Sequence, residues 1–287
     1  MREKMKLNVN GLMFSYSSTP VLKDVTFELA GSKFVSIMGP NGVGKSTLIH
    51  CINKILTPTE GVVTIDGTNV LDYSLKDMAK IVGYVPYSSS DTFPLTVVDT
   101  VLMGRHPYSK WNTLDHDLDI VYETLKRLGI SSLAMRPFNE LSAGQHQKVM
   151  LARGLVQEPK ILLLDEPTSN LDVRHQIDVV KMLRDLAHEK NILVIMISHD
   201  INIAAKYSDE VIMLNDGTIY AVGTPNDVIT PENLRVVYGV ESVVIQDEGM
   251  PHVILRDAIP LNEDEESNGT DPALTSASKQ DSAMPQE

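Results

Sequence analysis

Residues 39–47 read GPNGVGKST, a glycine-rich segment between a short apolar run, Lys33 to Met38, and a stretch free of Gly and Pro, Lys45 to Leu56. Strand, glycine loop and helix in that order make one βα unit, which belongs in a sheet with the helix packed back upon it. A glycine turn at a helix N-terminus aims several backbone N–H groups inward, and the helix dipole adds partial positive charge at the same place. Phosphate is the natural occupant. Gly39, Pro40, Asn41, Gly42, Val43 and Gly44 form the cradle, with Thr47 in the first helical turn. Lys45 brings a full charge toward the β and γ phosphates of a nucleotide, and Ser46 can set its hydroxyl on Mg²⁺.

The rest of the chain alternates in a matching rhythm. Lys6 to Tyr16 and Val21 to Leu29 are strand-like runs around the turn-rich Ser17-Ser18-Thr19-Pro20, an antiparallel hairpin. Gly61 to Ile65 and Ile81 to Val85 add strands, the second after a short helical stretch from Leu75. From 88 to 158 the texture is helical, with helices expected over Val97 to Gly104, His116 to Leu128 and Gln145 to Val156. Strands return as Ile161 to Leu164, Ile192 to Ser198 and Val211 to Leu214, alternating with helices Arg174 to Glu189 and Ile201 to Tyr207. The expectation is an α/β fold with a mostly parallel sheet, an N-terminal antiparallel β subdomain and an inserted α-helical subdomain. Residues 1–87 and 159–240 make the α/β core, 88–158 the insertion, 241–261 a small C-terminal extension and 262–287 an acidic tail.

Ligands of open α/β sheets gather beyond the carboxyl ends of the strands, where the phosphate loop already sits. The run ILLLDEP, Ile161 to Pro167, ends there in two acids. Asp165 is the candidate Mg²⁺ carboxylate, and Glu166 can accept a proton from a water attacking the γ-phosphate. His199 closes the next strand at the same crest, within reach of the γ-phosphate, and Asp200 is placed to cap the following helix. The remaining histidines show no metal-ligand spacing, so no zinc site is expected.

Charge and composition exclude other classes. A net charge of -13 argues against a nucleic-acid binder, which needs clustered Lys and Arg. Residues 262–287 carry seven acids against Lys279, which reads as a disordered, solubilising end, with a regulatory tail as the alternative. MREKMKLNVNG has no apolar signal region, and the apolar runs fall far short of the ~20 residues that cross a bilayer, so any membrane role comes through a partner. Cys51 is the single cysteine, read as a small buried residue on a helix in a reducing compartment.

Residues 141–147 read LSAGQHQ. With this segment about a hundred residues after the phosphate loop, the chain resembles the nucleotide-binding subunits of ABC transporters from Lys6 to about Gly239. The resemblance implies a P-loop (RecA-like) core, ATP and Mg²⁺ as cofactors, and ATP hydrolysis. Position by position, Tyr16 resembles the aromatic that stacks on adenine, its alternative being a surface aromatic of the hairpin. Leu141, Ser142, Ala143, Gly144 and Gln145 match the signature segment, Asp165 and Glu166 the metal-binding and catalytic acids, and His199 the switch histidine. Ser169-Asn170-Leu171-Asp172 matches the loop that crosses the dimer interface. The family arrangement implies a head-to-tail homodimer, in which the signature segment of one subunit closes over the ATP of the other. It also implies permease subunits in the membrane, an extracytoplasmic binding protein and a place at the cytoplasmic face.

Two positions depart from the family pattern. Tyr87 stands where Gln is usual and cannot offer the amide, and Ala143 stands where Gly is usual, which is strained if φ is positive there. Loss of one positioned donor costs about 10² to 10³ in rate, so slow turnover is expected. VLMGRHPYSKW, Val101 to Trp111, and SNLDVRHQ, Ser169 to Gln176, resemble importers of ferric siderophores, haem and cobalamin. The alternative for Arg105, His106, Pro107 and Tyr108 is simple helix termination. Two other classes stay open at this point: a soluble ATPase of the same superfamily, and a nucleotide-gated module with little hydrolysis.

Overall fold

The computed structural model describes residues 5–87, 95–108, 113–169 and 171–260. Strands β1 (Lys6–Tyr16) and β2 (Thr19–Ala30) pair antiparallel across the turn at Ser17, their burial alternating along the chain. Strand β3 (Phe34–Met38) leads through the glycine loop to helix α1 (Lys45–Ile52), and β4 (Glu60–Ile65) and β5 (Thr68–Asn69) join the first pair in the order β2-β1-β4-β5. After α2 (Leu75–Ile81) comes β6 (Val82–Val85), and then the helices α3 (Val97–Leu102), α4 (Leu114–Arg127) and α5 (Ala143–Leu155). Next follow β7 (Ile161–Leu164), α6 (Val173–Lys190), β8 (Leu193–Ile197), α7 (Ile201–Tyr207), β9 (Glu210–Asn215) and β10 (Thr218–Gly223). The chain then forms α8 (Pro225–Val228), α9 (Pro231–Tyr238) and the hairpin β11 (Val240–Asp247) and β12 (Met250–Ala258).

The second sheet has the order β10-β9-β3-β8-β7-β6, parallel throughout except for the β9–β10 pair. Strands β3, β7 and β8 are buried at every residue because both faces are covered. Successive side chains of a strand point to opposite faces, so both sets must be apolar. Leu162, Leu164, Val194 and Met196 pack with the helices α3 to α6, whereas Ile161, Leu163, Ile195 and Ile197 pack with α1 and the antiparallel sheet. Cys51 lies on α1 in that second layer, and burial pushes its thiol up to about 12. A third cluster, with Val211, Met213, Leu234, Val237 and Val253, joins β9 to α9 and the C-terminal hairpin.

Several element ends differ from the sequence reading. Helix α1 stops at Ile52 rather than Leu56, because Lys54 turns left-handed and the N–H groups of Ile55 and Leu56 return to the carbonyl of His50. Helix α5 starts at Ala143, two residues before the expected Gln145: Ser142 accepts from the Gln145 N–H while the Gln145 side chain accepts from the Ser142 N–H. Such a capping box satisfies orphan donors at both positions. Residues 218–258, which the sequence divides between the end of the α/β core at 240 and a small extension from 241, form β10, α8, α9 and a two-stranded sheet. The acidic tail, and Ser109, Lys110 and Trp111 of the importer-like stretch, lie outside the described residues.

Helix α3 was expected to reach Gly104 but ends at Leu102 and tightens into a 3₁₀ segment, Met103–Tyr108, around Pro107. Proline disfavours the helical conformation of the residue before it. Gly104 is pressed against α5, where a Cβ would come within 2.2 Å of the Arg153 carbonyl oxygen. Arg105 is buried and donates to Asp117 (2.8 Å), to the Val156 carbonyl (2.7 Å) and to Glu158 (2.9 Å), with its guanidinium 4.2 Å from the centre of the Tyr108 ring. This residue therefore ties α3, α4 and the end of α5 together. Removing one partner of a buried ion pair leaves the other unpaired. Arg105→Ala is expected to lower the unfolding free energy by about 3–5 kcal/mol in urea titration, and Arg105→Lys, which lacks the planar fork, to recover only part of it.

Candidate active site

The phosphate loop begins where β3 leaves the sheet. Gly39 sits at φ +144, and a Cβ there would lie 2.4 Å from the carbonyl oxygen of Leu214 in β9. Its N–H donates to the phenol oxygen of Tyr238 at 2.8 Å, and burial pushes that phenol up to about 12. Asn41 and Gly42 are exposed at the tip of the loop. Gly44, left-handed, then opens α1 with no side chain capping the first turn. An uncapped helix start leaves N–H donors for an anion. Lys45 is buried and folds over the loop, donating to the carbonyls of Gly39 (2.8 Å) and Pro40 (2.7 Å). Burial pulls its ammonium below the ordinary lysine value, against the charges of Glu166 and Asp165.

The two acids stand at the end of β7. Asp165 is buried and accepts from the Ser46 hydroxyl at 3.0 Å. Burial raises its carboxyl above the usual value, the Ser46 hydrogen bond lowers it, and the charge of Glu166 raises it again. A hydroxyl and a carboxylate side by side are hard oxygen donors, and a cation beside them would relieve the buried charge. This set fits Mg²⁺, which takes one or two protein ligands and fills its shell with phosphate oxygens and water.

Glu166 has φ +49, the left-handed region that a residue with a Cβ rarely enters. That turn carries its carboxylate to His199, whose Nε2 lies 2.5 Å from Oε1. Asp200 caps α7 by accepting from the Ile203 N–H, which fixes the chain just after His199. Asn41, Ser46, Tyr87, Asp165, Glu166 and His199 line one open cavity of about 610 Å³. Tyr87, half exposed, also lines a neighbouring cavity of about 300 Å³ with Leu141, Ala143, Glu166 and Leu171.

Other sequence candidates stand apart from that cavity. Ser142 and Ala143 are exposed at the start of α5, and Ala143 has no positive φ, so its methyl brings no backbone strain. The capping box occupies the N–H groups of Ser142 and Gln145, which leaves the Ser142 hydroxyl proton and the N–H groups of Ala143 and Gly144 as the donors of the first turn. Asp172 caps α6, accepting from the His175 N–H, and its side chain is exposed; Asn170 lies outside the described residues. Tyr16 is half exposed at the end of β1, edge-on to Phe14 at 4.9 Å. Sequence reasoning missed Tyr238, which holds Gly39 from 199 positions away, and the Tyr84–His50 pair (2.9 Å) that joins β6 to α1. Nothing in the linear sequence signals contacts of such separation.

Comparison with known proteins accords with this geometry. A family model described as ABC transporter matches residues 22–169. An uncharacterized ABC transporter ATP-binding protein of Methanocaldococcus jannaschii is 47% identical over 87% of this chain and 98% of its own length. A hemin import ATP-binding protein of Bordetella avium is 38% identical over 84% of this chain and 95% of its own. A cobalamin import ATP-binding protein of Halobacterium salinarum is 38% identical over 85% of this chain, which spans 61% of that relative. Among solved structures, an ABC transporter assigned to the metal-chelate type, in an inward-facing conformation, matches with TM-score 0.77 at 29% identity, covering 88% of this chain and 98% of that one. A bacterial ABC transporter cassette solved as a dimer matches with TM-score 0.68 at 30% identity, covering 76% and 98%.

If Ser46 and Asp165 are the protein's share of a Mg²⁺ site, Asp165→Asn should raise the Mg²⁺ concentration for half-maximal ATP hydrolysis by at least about 10-fold. A Mg²⁺ titration of the steady-state rate measures this, and an unchanged midpoint counts against the assignment.

Proposed function

This chain belongs to the ABC transporter family of ATP-binding proteins and is an ATPase, and from that premise we propose that two copies work head to tail on permease subunits to import an iron chelate, haem or siderophore, or cobalamin. The observation that carries the reading is a separation. Ser46, Asp165, Glu166 and His199 share one cavity, while no residue of the signature segment 141–145 lines it and Ser142 and Ala143 are exposed. A site with donors on one side only is completed by a second copy. The dimeric cassette with which this chain shares its fold supports that arrangement.

In this reading the loop N–H groups and Lys45 bind the β and γ phosphates, with Ser46 and Asp165 holding Mg²⁺. The ion neutralises phosphate charge when bound. Glu166 accepts a proton from the water whose oxygen attacks the γ-phosphorus, and the bond to the bridging oxygen breaks to leave ADP and phosphate. His199, donating from Nε2, holds that carboxylate in place. ATP between the two copies favours the closed dimer. Loss of the γ-phosphate removes that difference, and the halves part against the permease.

The cargo assignment rests on the hemin and cobalamin import relatives and on the metal-chelate transporter. No helix among the described residues is long and apolar enough to cross a membrane; in this reading the permease holds the subunit at the cytoplasmic face. The extracytoplasmic binding protein is then an indirect partner. Co-expression with a candidate permease tests the assembly, and uptake of labelled haem, siderophore or cobalamin with and without Lys45→Ala tests the cargo.

A second reading, a nucleotide-gated module that hydrolyses slowly, is favoured by Tyr87 on the cavity wall. Glu166→Gln is expected to cut turnover by about 10² to 10⁴ while ATP binding persists. Equal rates in the variant and the natural protein would establish the second reading instead. Tyr87→Gln is expected to raise turnover, by up to about 10²-fold, through restoration of an amide at the cavity wall. A rate that stays the same or falls shows that the phenol is no handicap.

A further inference from the structure

The first turn of α6 joins two segments that the proposed dimer needs together. His175 Nδ1 lies 2.8 and 2.9 Å from the two carboxylate oxygens of Asp172, while its own N–H caps the helix on the same carboxylate at 2.9 Å. The other edge of the ring lies over the signature segment: a Cβ built on Gly144 would stand 3.4 Å from His175 Cδ2 and 3.6 Å from Cγ. Gln176 donates to the Thr168 carbonyl at 3.1 Å, and the Ser169 hydroxyl donates to the Glu166 carbonyl at 3.0 Å. Contacts therefore run from Glu166 to Ser169, from Thr168 to Gln176, and from Asp172 through His175 to Gly144.

Glu166 serves the nucleotide of its own subunit, and Gly144 faces the nucleotide of the other. We propose that His175 is a positioning residue that sets the spacing between the dimer loop and the signature segment, and so couples the two nucleotide sites. This rests on the head-to-tail reading above. His175 lines none of the three cavities that Glu166 borders, and it is about half exposed, so it acts through what it holds rather than on ATP itself. The tie to Asp172 fixes the ring, and the ring bounds where the start of α5 can sit. Loss of either contact lets one segment shift against the other, and a shift of this kind costs catalysis without weakening nucleotide binding in a single subunit.

Three substitutions separate the two contacts. His175→Ala removes both. His175→Asn places an amide nitrogen where Nδ1 stands and keeps the tie to Asp172, while His175→Phe keeps a ring over Gly144 without the donor. His175→Ala is expected to lower kcat about 10-fold or more while the KM for ATP stays within about twofold. The affinity of the isolated subunit for a fluorescent ATP analogue should likewise hold, and the Asn and Phe variants should fall between the Ala variant and the natural protein. A natural kcat in His175→Ala overturns the proposal, as does a parallel loss of nucleotide affinity. Full recovery by Asn or by Phe alone also overturns it, because one of the two contacts is then dispensable.

ATP-driven association in the Glu166→Gln background, followed by sedimentation, separates this from the underlying reading. If Glu166→Gln stays monomeric with ATP, the shared-site reading falls and takes the proposal with it. If it dimerises, and Glu166→Gln/His175→Ala dimerises at the same ATP and protein concentrations, only the role of His175 falls. The expected result is that the double variant, at saturating ATP, requires about 10-fold more protein to associate.

Discussion

The close approach of Gly39 to the carbonyl of Leu214 is possible because β3 runs between β8 and β9 with both of its faces covered. A strand so enclosed has one free end, and the chain must leave it upward, over the crest of the sheet. Leaving at φ +144 without a side chain lets the loop curl back on itself, so that its N–H groups and the start of α1 face the same point. Lys45 is then buried against the loop carbonyls rather than dispersed in solvent. Most of what gathers at the crest follows from this exit, since β7 and β8, parallel neighbours in register, deliver Asp165, Glu166 and His199 to the same height.

Backbone strain accompanies the chemistry at one place. Glu166 adopts a left-handed turn immediately after a fully buried strand, and the turn brings its carboxylate to His199. Asp165, one residue earlier, points down to Ser46 in a buried setting that disfavours its charge. Two adjacent acids thus have different environments, one suited to a cation and one to a proton. The same separation of roles extends across the proposed dimer, where the capped start of α5 lies outside the cavity that Ser46, Asp165 and His199 share.

Much of this was legible from the residues. Unbroken aliphatic runs at 161–164 and 193–197 announced strands, Asp200 announced a helix start, and the glycine loop announced its own conformation. Boundaries were less legible, because they turn on single events such as the left-handed Lys54 that ends α1 or the Ser142 capping box that starts α5 early. The C-terminal segment was hardly legible at all. Its strands alternate weakly in burial, and one of them is anchored by Asn202, whose side chain exchanges two hydrogen bonds with the backbone of Val253 (3.1 and 2.7 Å).

The sequence alone determined which chemistry the chain performs, since the phosphate loop, the paired acids and the signature segment each depend on residue types at short spacing, and local geometry follows from local covalent structure. Tertiary structure decided how those pieces are held. Tyr238 steadies Gly39, Arg105 pins the helical segment 97–155, Tyr87 comes to line the cavity of Ser46, Asp165, Glu166 and His199, and His175 meets Gly144. Each of these contacts joins residues brought together by packing of distant segments. A linear pattern carries no record of such distances, because burial of the whole core sets them.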